Sequence, residues 1–108
     1  MTIVPLVKVP ARAKKGETVM IRAKLKHPME TGWRKNAAGA VVPRKRIFQF
    51  VCTQGNREML RADLHSGVSA DPYFAFFVKA EKSGVYRFQW FEDGGTVYET
   101  SAVMEVVG

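Results

Sequence analysis

The sequence has 108 residues, of which 46% are hydrophobic, 11% aromatic and 25% charged, which is typical of one globular domain and unlike disordered or collagen-like chains. No apolar run approaches the roughly 18 residues that a membrane-spanning helix needs, so we expect a soluble protein and a single domain over residues 1–108. The formal net charge is +7, and residues 1–54 hold 12 basic and only 2 acidic residues, which favours an acidic partner or nucleic acid.

Short windows in which every second residue is apolar predict about seven β-strands, and no window carries an amphipathic helical pattern. The first predicted strand lies around residues 3–9. The other six have these inward-facing rows: Val19, Ile21, Ala23 and Leu25; Phe48, Phe50 and Cys52; Leu60, Ala62 and Leu64; Phe74, Phe76 and Val78; Tyr86, Phe88 and Trp90; and Ala102, Met104 and Val106.

The connections favour antiparallel pairing, since residues 54–56 and 93–95 contain the glycines that tight hairpin turns require. We therefore predict an immunoglobulin-like antiparallel β-sandwich that lacks the cysteine pair of antibody domains. Residues 27–46 show no clear strand alternation, and a long irregular loop in a compact domain is usually functional or mobile. Residues 65–71 are predicted to cross between the sheets.

Residues capable of catalysis are few, and each has a simpler structural interpretation. His27, Cys52 and His65 lack the spacing of a zinc site, and the phase of Cys52 predicts a packed core thiol. Glu92 and Asp93 are adjacent in a predicted turn, where turn chemistry is favoured over acid–base chemistry. We therefore expect no enzyme, no catalytic residue, no cofactor and no metal.

The basic clusters at residues 12–15, 34–35 and 44–46 leave two interpretations open. Cations interleaved with aromatic residues could bind single-stranded nucleic acid through phosphate contacts and base stacking. Most aromatic residues here, however, fall on inward rows. Trp33 is the exception, and beside Arg34 and Lys35 it suits an interface anchor as well as a stacking platform. Protein docking or a solvated face is favoured, and a small basic β-domain that binds nucleic acid is the alternative.

A resemblance to a known family rests on segments spread in order over nearly the whole chain. They are His27-Pro28-Met29-Glu30-Thr31-Gly32, Pro43-Arg44, Phe50-Val51-Cys52, Ala62-Asp63-Leu64, Val68-Ser69-Ala70-Asp71-Pro72-Tyr73 and Trp90. The sequence resembles the SoxZ family, the small subunits of the SoxYZ sulfur-carrier complex of bacterial thiosulfate oxidation.

This resemblance implies a non-catalytic binding subunit that pairs with a SoxY-like carrier subunit and contacts other Sox enzymes transiently. In such complexes a cysteine on the flexible C-terminal arm of the partner carries the sulfur intermediate. The lone cysteine and the absence of a recognisable signal peptide would by themselves indicate the cytoplasm. The resemblance instead implies the periplasm, reached by export with a signal-bearing partner, and no nucleic-acid or membrane partner.

The long loop is the predicted partner-binding site. Its basic residues would attract an anionic surface, and Trp33 would anchor the contact. The candidate residues are His27, Met29, Glu30, Trp33, Arg34, Lys35, Arg44 and Lys45.

Overall fold

The computed structural model describes residues 3–30, 32–65 and 70–108, and the regular secondary structure in these ranges is entirely β. The predicted crossover at residues 65–71 lies partly outside them, at residues 66–69. The strands are β1 (Pro5–Lys8), β2 (Arg12–Lys14), β3 (Thr18–Leu25), β4 (Ile47–Gln54), β5 (Arg57–Asp63), β6 (Tyr73–Lys79), β7 (Gly84–Glu92) and β8 (Val97–Val107).

The strands form two sheets, one of three strands in the order β1-β3-β6 and one of five in the order β2-β8-β7-β4-β5. The prediction of an all-β sandwich is confirmed, with eight strands among the described residues instead of about seven. In the described part of the chain no helix is long or apolar enough to cross a membrane.

The strand that the sequence did not predict is β2, which pairs in parallel with β8 while all other ladders are antiparallel. Arg12 stands opposite Glu105, and their side chains form an exposed ion pair at 3.2 Å. β2 has three residues and a single buried side chain, Ala13, so it has too little apolar alternation to be recognised.

The core lies between the inner faces of the two sheets, and its centre is aromatic. Phe50 on β4 stacks on Phe74 of β6 with ring centroids 4.4 Å apart, and lies 4.9 Å from the indole of Trp90 on β7. The predicted inward rows of β3 and β7 are fully confirmed, since all their members are buried. Burial of such side chains is the main term that stabilises the sandwich.

One member of a predicted inward row is wrong. Phe48 is 41% exposed, whereas Phe50 and Cys52 of the same row are buried. The register between β4 and β7 shifts between Ile47 and Gln49, so the alternation breaks there and Ile47 takes the inward position instead. A β-bulge of this kind turns a side chain to the other face, and simple alternation cannot reveal it.

Candidate partner-binding site

The loop between β3 and β4 is an irregular hairpin, which explains why its sequence shows no strand alternation. Two isolated antiparallel bridges join its arms, one between Glu30 and Lys45 and one between Lys35 and Val41. At the tip, the Asn36 side chain accepts backbone N–H groups of Ala38 and Ala40 at 2.9 and 3.1 Å. The loop is thus ordered by backbone pairing and an Asx turn without being part of either sheet.

A buried polar cluster lies at the base of this loop. The backbone N–H of Met29 donates to Nδ1 of His27 at 2.9 Å, so Nδ1 must accept and the ring proton of neutral His27 resides on Nε2. Nε2 lies 2.6 Å from Oε2 of Glu92, and this distance fits donation from the imidazole to the carboxylate. Both side chains are buried.

Glu92 has two further partners, a hydrogen bond to Oε2 and an ion pair at Oε1, which makes no hydrogen bond of its own within the described residues. The hydroxyl of Tyr98 donates to the same Oε2 at 2.8 Å, and Lys45 brings its Nζ to 3.8 Å from Oε1. Burial, followed by this bond to the carboxylate, raises the pKa of Tyr98 to about 12. A buried carboxylate is stable only when paired and hydrogen-bonded, so the cluster fixes the loop base against β7.

The backbone at the base is held by two more contacts. The N–H of His27 donates to Oδ1 of Asp71 at 2.8 Å, and the N–H of Asp71 donates back to the carbonyl of His27 at 2.8 Å. Met29 and Asp71 both have φ near +55°, a conformation uncommon for non-glycine residues. The hydrogen bonds around His27 hold both residues in this strained backbone region.

The turn between β7 and β8 secures the other arm of the loop. Asp93 accepts the backbone N–H of Arg46 at 3.2 Å and a guanidinium N–H of Arg44 at 3.1 Å, and its own N–H donates to the Arg46 carbonyl at 3.0 Å. The turn chemistry predicted for Asp93 is therefore present. Asp93 also binds the loop, which its position in the sequence did not indicate.

The predicted site residues fall into two groups. His27 and Met29 are buried, so their side chains position the loop and offer no surface to a partner. The exposed group is headed by Trp33, whose side chain is 86% exposed. The other exposed or partly exposed members are Glu30, Arg34, Lys35, Arg44 and Lys45.

Most cations of the loop are already paired within the chain. Arg34 forms a forked contact with Glu30, with distances down to 2.7 Å, and this contact lowers the pKa of the Glu30 carboxyl. Arg44 and Lys45 have the carboxylates described above. Lys35 has no carboxylate within 4 Å in the described ranges. The loop is therefore less basic in effect than its sequence suggests.

Glu92 and Tyr98 are the site residues that sequence reasoning missed. A signal for Glu92 was present, because the inward row of Tyr86, Phe88 and Trp90 continues by two residues to Glu92. An acidic side chain in phase with a buried row is expected to be buried, and a buried carboxylate needs a hydrogen-bonding partner. His27 was the available one. In the described ranges no group of three or more His, Cys, Asp or Glu side chains could hold a metal ion.

The fold and the site define a small β-sandwich protein whose long loop is fixed by a buried histidine–carboxylate cluster. A profile of the family described as sulphur oxidation protein SoxZ matches residues 7–103. The chain belongs to the SoxZ family, and hence to the Sox system of sulfur oxidation. No curated protein sequence gives a significant match.

Solved structures similar to this chain include superoxide reductases. A proposed superoxide reductase from Thermotoga maritima has a TM-score of 0.74 at 19% identity, over 97% of this chain and 86% of that one. The superoxide reductase (neelaredoxin) from Ignicoccus hospitalis has a TM-score of 0.69 at 20% identity, over 96% of this chain and 80% of that one. At these identities the similarity shows a shared fold and nothing about activity.

Proposed function

We propose that the chain is the non-catalytic binding subunit of a SoxYZ-like heterodimer in thiosulfate oxidation. It supports a SoxY-like partner whose C-terminal cysteine carries the sulfur intermediate between Sox enzymes. The complex acts in the periplasm, and the chain is exported with its signal-bearing partner. Membership of the SoxZ family supports this assignment.

The observation that carries the proposal is the position of Cys52, the one cysteine of the sequence. It is buried in the core on β4, and burial raises the pKa of its thiol to about 12. A carrier thiol must ionise and reach several active sites, and a buried protonated thiol does neither. The buried thiol thus supports a carrier cysteine on a second polypeptide.

The state of His27 also supports a role without catalysis. One ring nitrogen accepts the Met29 amide and the other contacts Glu92, so both are occupied in the interior. A general base needs a free ring nitrogen within reach of a substrate. The histidine–carboxylate pair therefore acts as a structural brace for the loop.

The test is co-expression with the SoxY-type subunit of the same organism, followed by size-exclusion chromatography at moderate salt. One joint peak with equal amounts of the two chains is expected. Two separate peaks, for subunits that are each folded by circular dichroism, would contradict the proposal. The same preparation should bind single-stranded DNA weakly near physiological salt, whereas tight binding with a steep salt dependence would favour the nucleic-acid alternative.

A further inference from the structure

The outer face of the three-stranded sheet carries large apolar side chains that the core does not use. Along β1, β3 and β6 burial alternates, so every second residue points away from the core. Four of these outward residues are large and exposed, and Phe77 is 66% exposed. The four are Leu6, Met20, Tyr73 and Phe77.

The strand register brings these side chains together. Met20 stands directly opposite Phe77, while Leu6 and Tyr73 flank Lys24 from its two sides. Residues opposite each other on one face of a sheet are in side-chain contact range, with Cβ atoms about 5 Å apart. The apolar side chains therefore share one face across three strands, in two rows separated by the row of Lys8 and Arg22. Exposed apolar side chains grouped on one face and rimmed by polar groups mark an interaction site.

The same face is cationic. Lys8 stands opposite Arg22 in the row next to Lys24, and these three side chains have no carboxylate within 4 Å among the described residues. Nε of Arg22 contacts Sδ of Met20 at 3.4 Å, so charge and apolar surface are interleaved. A groove of about 400 Å³ between them is lined by Lys8, Val9, Pro10, Met20 and Arg22.

The outer face of the five-stranded sheet is different, because most of its cations are paired within the chain, Lys14 on β2 being an exception among the described residues. Arg87 pairs with Glu99 at 3.2 Å, and Arg61 pairs with Glu58 at 2.7 Å. To be paired in the same way, the cations on the three-stranded sheet need carboxylates from another molecule. The two outer faces both carry exposed apolar side chains, but the cations without a carboxylate in the described ranges are concentrated on the three-stranded sheet.

We propose that the outer face of the three-stranded sheet is the docking surface for the SoxY-type partner, which covers it with an apolar patch rimmed by carboxylates. This inference rests on the proposed function and assigns its interface. A second copy of this chain fits poorly, since the same face would oppose cations to cations. Nucleic acid would leave the aliphatic side chains of Leu6 and Met20 without a role, whereas they suit the apolar centre of a protein interface.

The test compares outward substitutions on the two faces of the full chain, co-expressed with the SoxY-type subunit. Phe77→Glu should weaken the heterodimer by about 100-fold, as expected when a large apolar anchor of the interface is replaced by a charge. Val103→Glu is the matched control, since Val103 is 64% exposed on the outer face of the five-stranded sheet, and it should leave the affinity unchanged. Leu6→Glu, on another strand, repeats the test if Phe77→Glu is poorly folded.

The charges are tested by Arg22→Glu combined with Lys24→Glu, which should slow association about tenfold at low salt and less at high salt. Lys14→Glu with Lys15→Glu makes the same change in net charge at the far end of β2 and should have little effect.

If the wild-type chain forms the heterodimer but folded Phe77→Glu and Leu6→Glu bind within about threefold of it, the interface lies elsewhere. A wild-type homodimer that Phe77→Glu abolishes would make a second copy the occupant and overturn the proposal. If the wild type forms no heterodimer at all, it is the proposed function that fails.

Discussion

The imidazole of His27 and the carboxylate of Glu92, 65 positions apart in the sequence, meet at 2.6 Å in the interior of the sandwich. His27 follows β3 of the three-stranded sheet, while Glu92 ends β7 of the five-stranded sheet. Their hydrogen bond therefore joins the start of the loop after the three-stranded sheet to the five-stranded sheet. It also anchors the loop base to β7, a strand whose inward side chains are buried in the core.

Removing this carboxylate should be costly. Glu92→Ala leaves the Nε2–H of His27 and the hydroxyl of Tyr98 buried without an acceptor, and should lower the free energy of unfolding by about 2–4 kcal/mol. Glu92→Gln keeps an acceptor oxygen and should cost less. The exposed Glu99, paired with Arg87, is the control, and Glu99→Ala should cost less than about 1 kcal/mol. Urea titration measures all three, and equal losses for Glu92→Ala and Glu99→Ala would refute this role.

Gly32 should resist substitution for two separable reasons. Its φ is +90°, and a Cβ there would lie 3.2 Å from the Cβ of Arg44. Gly39 has a similar φ of +83° with open space around it. Gly39→Ala should therefore show the backbone strain alone, about 1 kcal/mol, and Gly32→Ala should cost clearly more. Thermal unfolding of both variants tests the difference, and identical midpoints would mean that Arg44 moves aside freely.

Cys52→Ala should leave sulfur loading of the heterodimer intact. The loss of packing should cost about 1–2 kcal/mol, since a buried thiol behaves as a small apolar group. Mass spectrometry after incubation with thiosulfate and the Sox enzymes should place the adduct on the partner subunit. An adduct on Cys52, or loss of loading in a folded Cys52→Ala heterodimer, would make this chain the carrier.

Alkaline pH should destabilise the protein, and Cys52 should account for part of the effect. Burial raises the pKa of its thiol from 9.0 to about 12, so above pH 9 the unfolded chain releases a proton that the folded chain retains. Tyr98 behaves in the same way from pH 10 upward. Each such proton lowers the free energy of unfolding by about 1.4 kcal/mol per pH unit inside its window. Denaturant titrations at pH 8–11 should therefore show a shallower decline for Cys52→Ala, and parallel curves would contradict the assignment.

The exposed part of the long loop should act in transient contacts. Arg34→Glu combined with Lys35→Glu should slow association with at least one Sox enzyme at low salt, because rim charges govern association rates. Lys14→Glu with Lys15→Glu again matches the charge change. Stopped-flow or surface-binding kinetics measure the rates. Unchanged rates with every Sox enzyme would exclude the loop from these contacts.

The sandwich could be predicted because alternation is a local property of each strand. The rows of β3 and β7 needed only the period of two, and turns such as that at Gly94 needed only a residue that tolerates positive φ. The inward orientation predicted for Phe48 was wrong because the bulge arises from the pairing of β4 with β7, which the sequence of a single strand does not reveal. β2 was not predicted because the strand that it pairs with, β8, lies some 90 residues further along the chain.

The site was harder to predict for the same reason. The loop was identified from its lack of strand alternation, and Trp33 from its isolation among polar residues. The pairing of Arg44 with Asp93 and of Lys45 with Glu92 depends on where the β7–β8 turn meets the loop. No local pattern contains that information. The charge of the loop was therefore overestimated from sequence, while the unpaired cations of β1 and β3 were overlooked.

The parallel pairing of β2 with β8 has a mechanical consequence. Residues 12–14 run alongside residues 105–107, and flanking hydrogen bonds from Glu105 to Ala11 and from Lys15 to Val107 extend the ladder. A force that pulls the two ends of the described chain apart acts along both strands in opposite directions. All bonds between them are then loaded together in shear, instead of opening one after another as in a zipper. A subunit pulled by a moving partner would thus resist extension at this short strand.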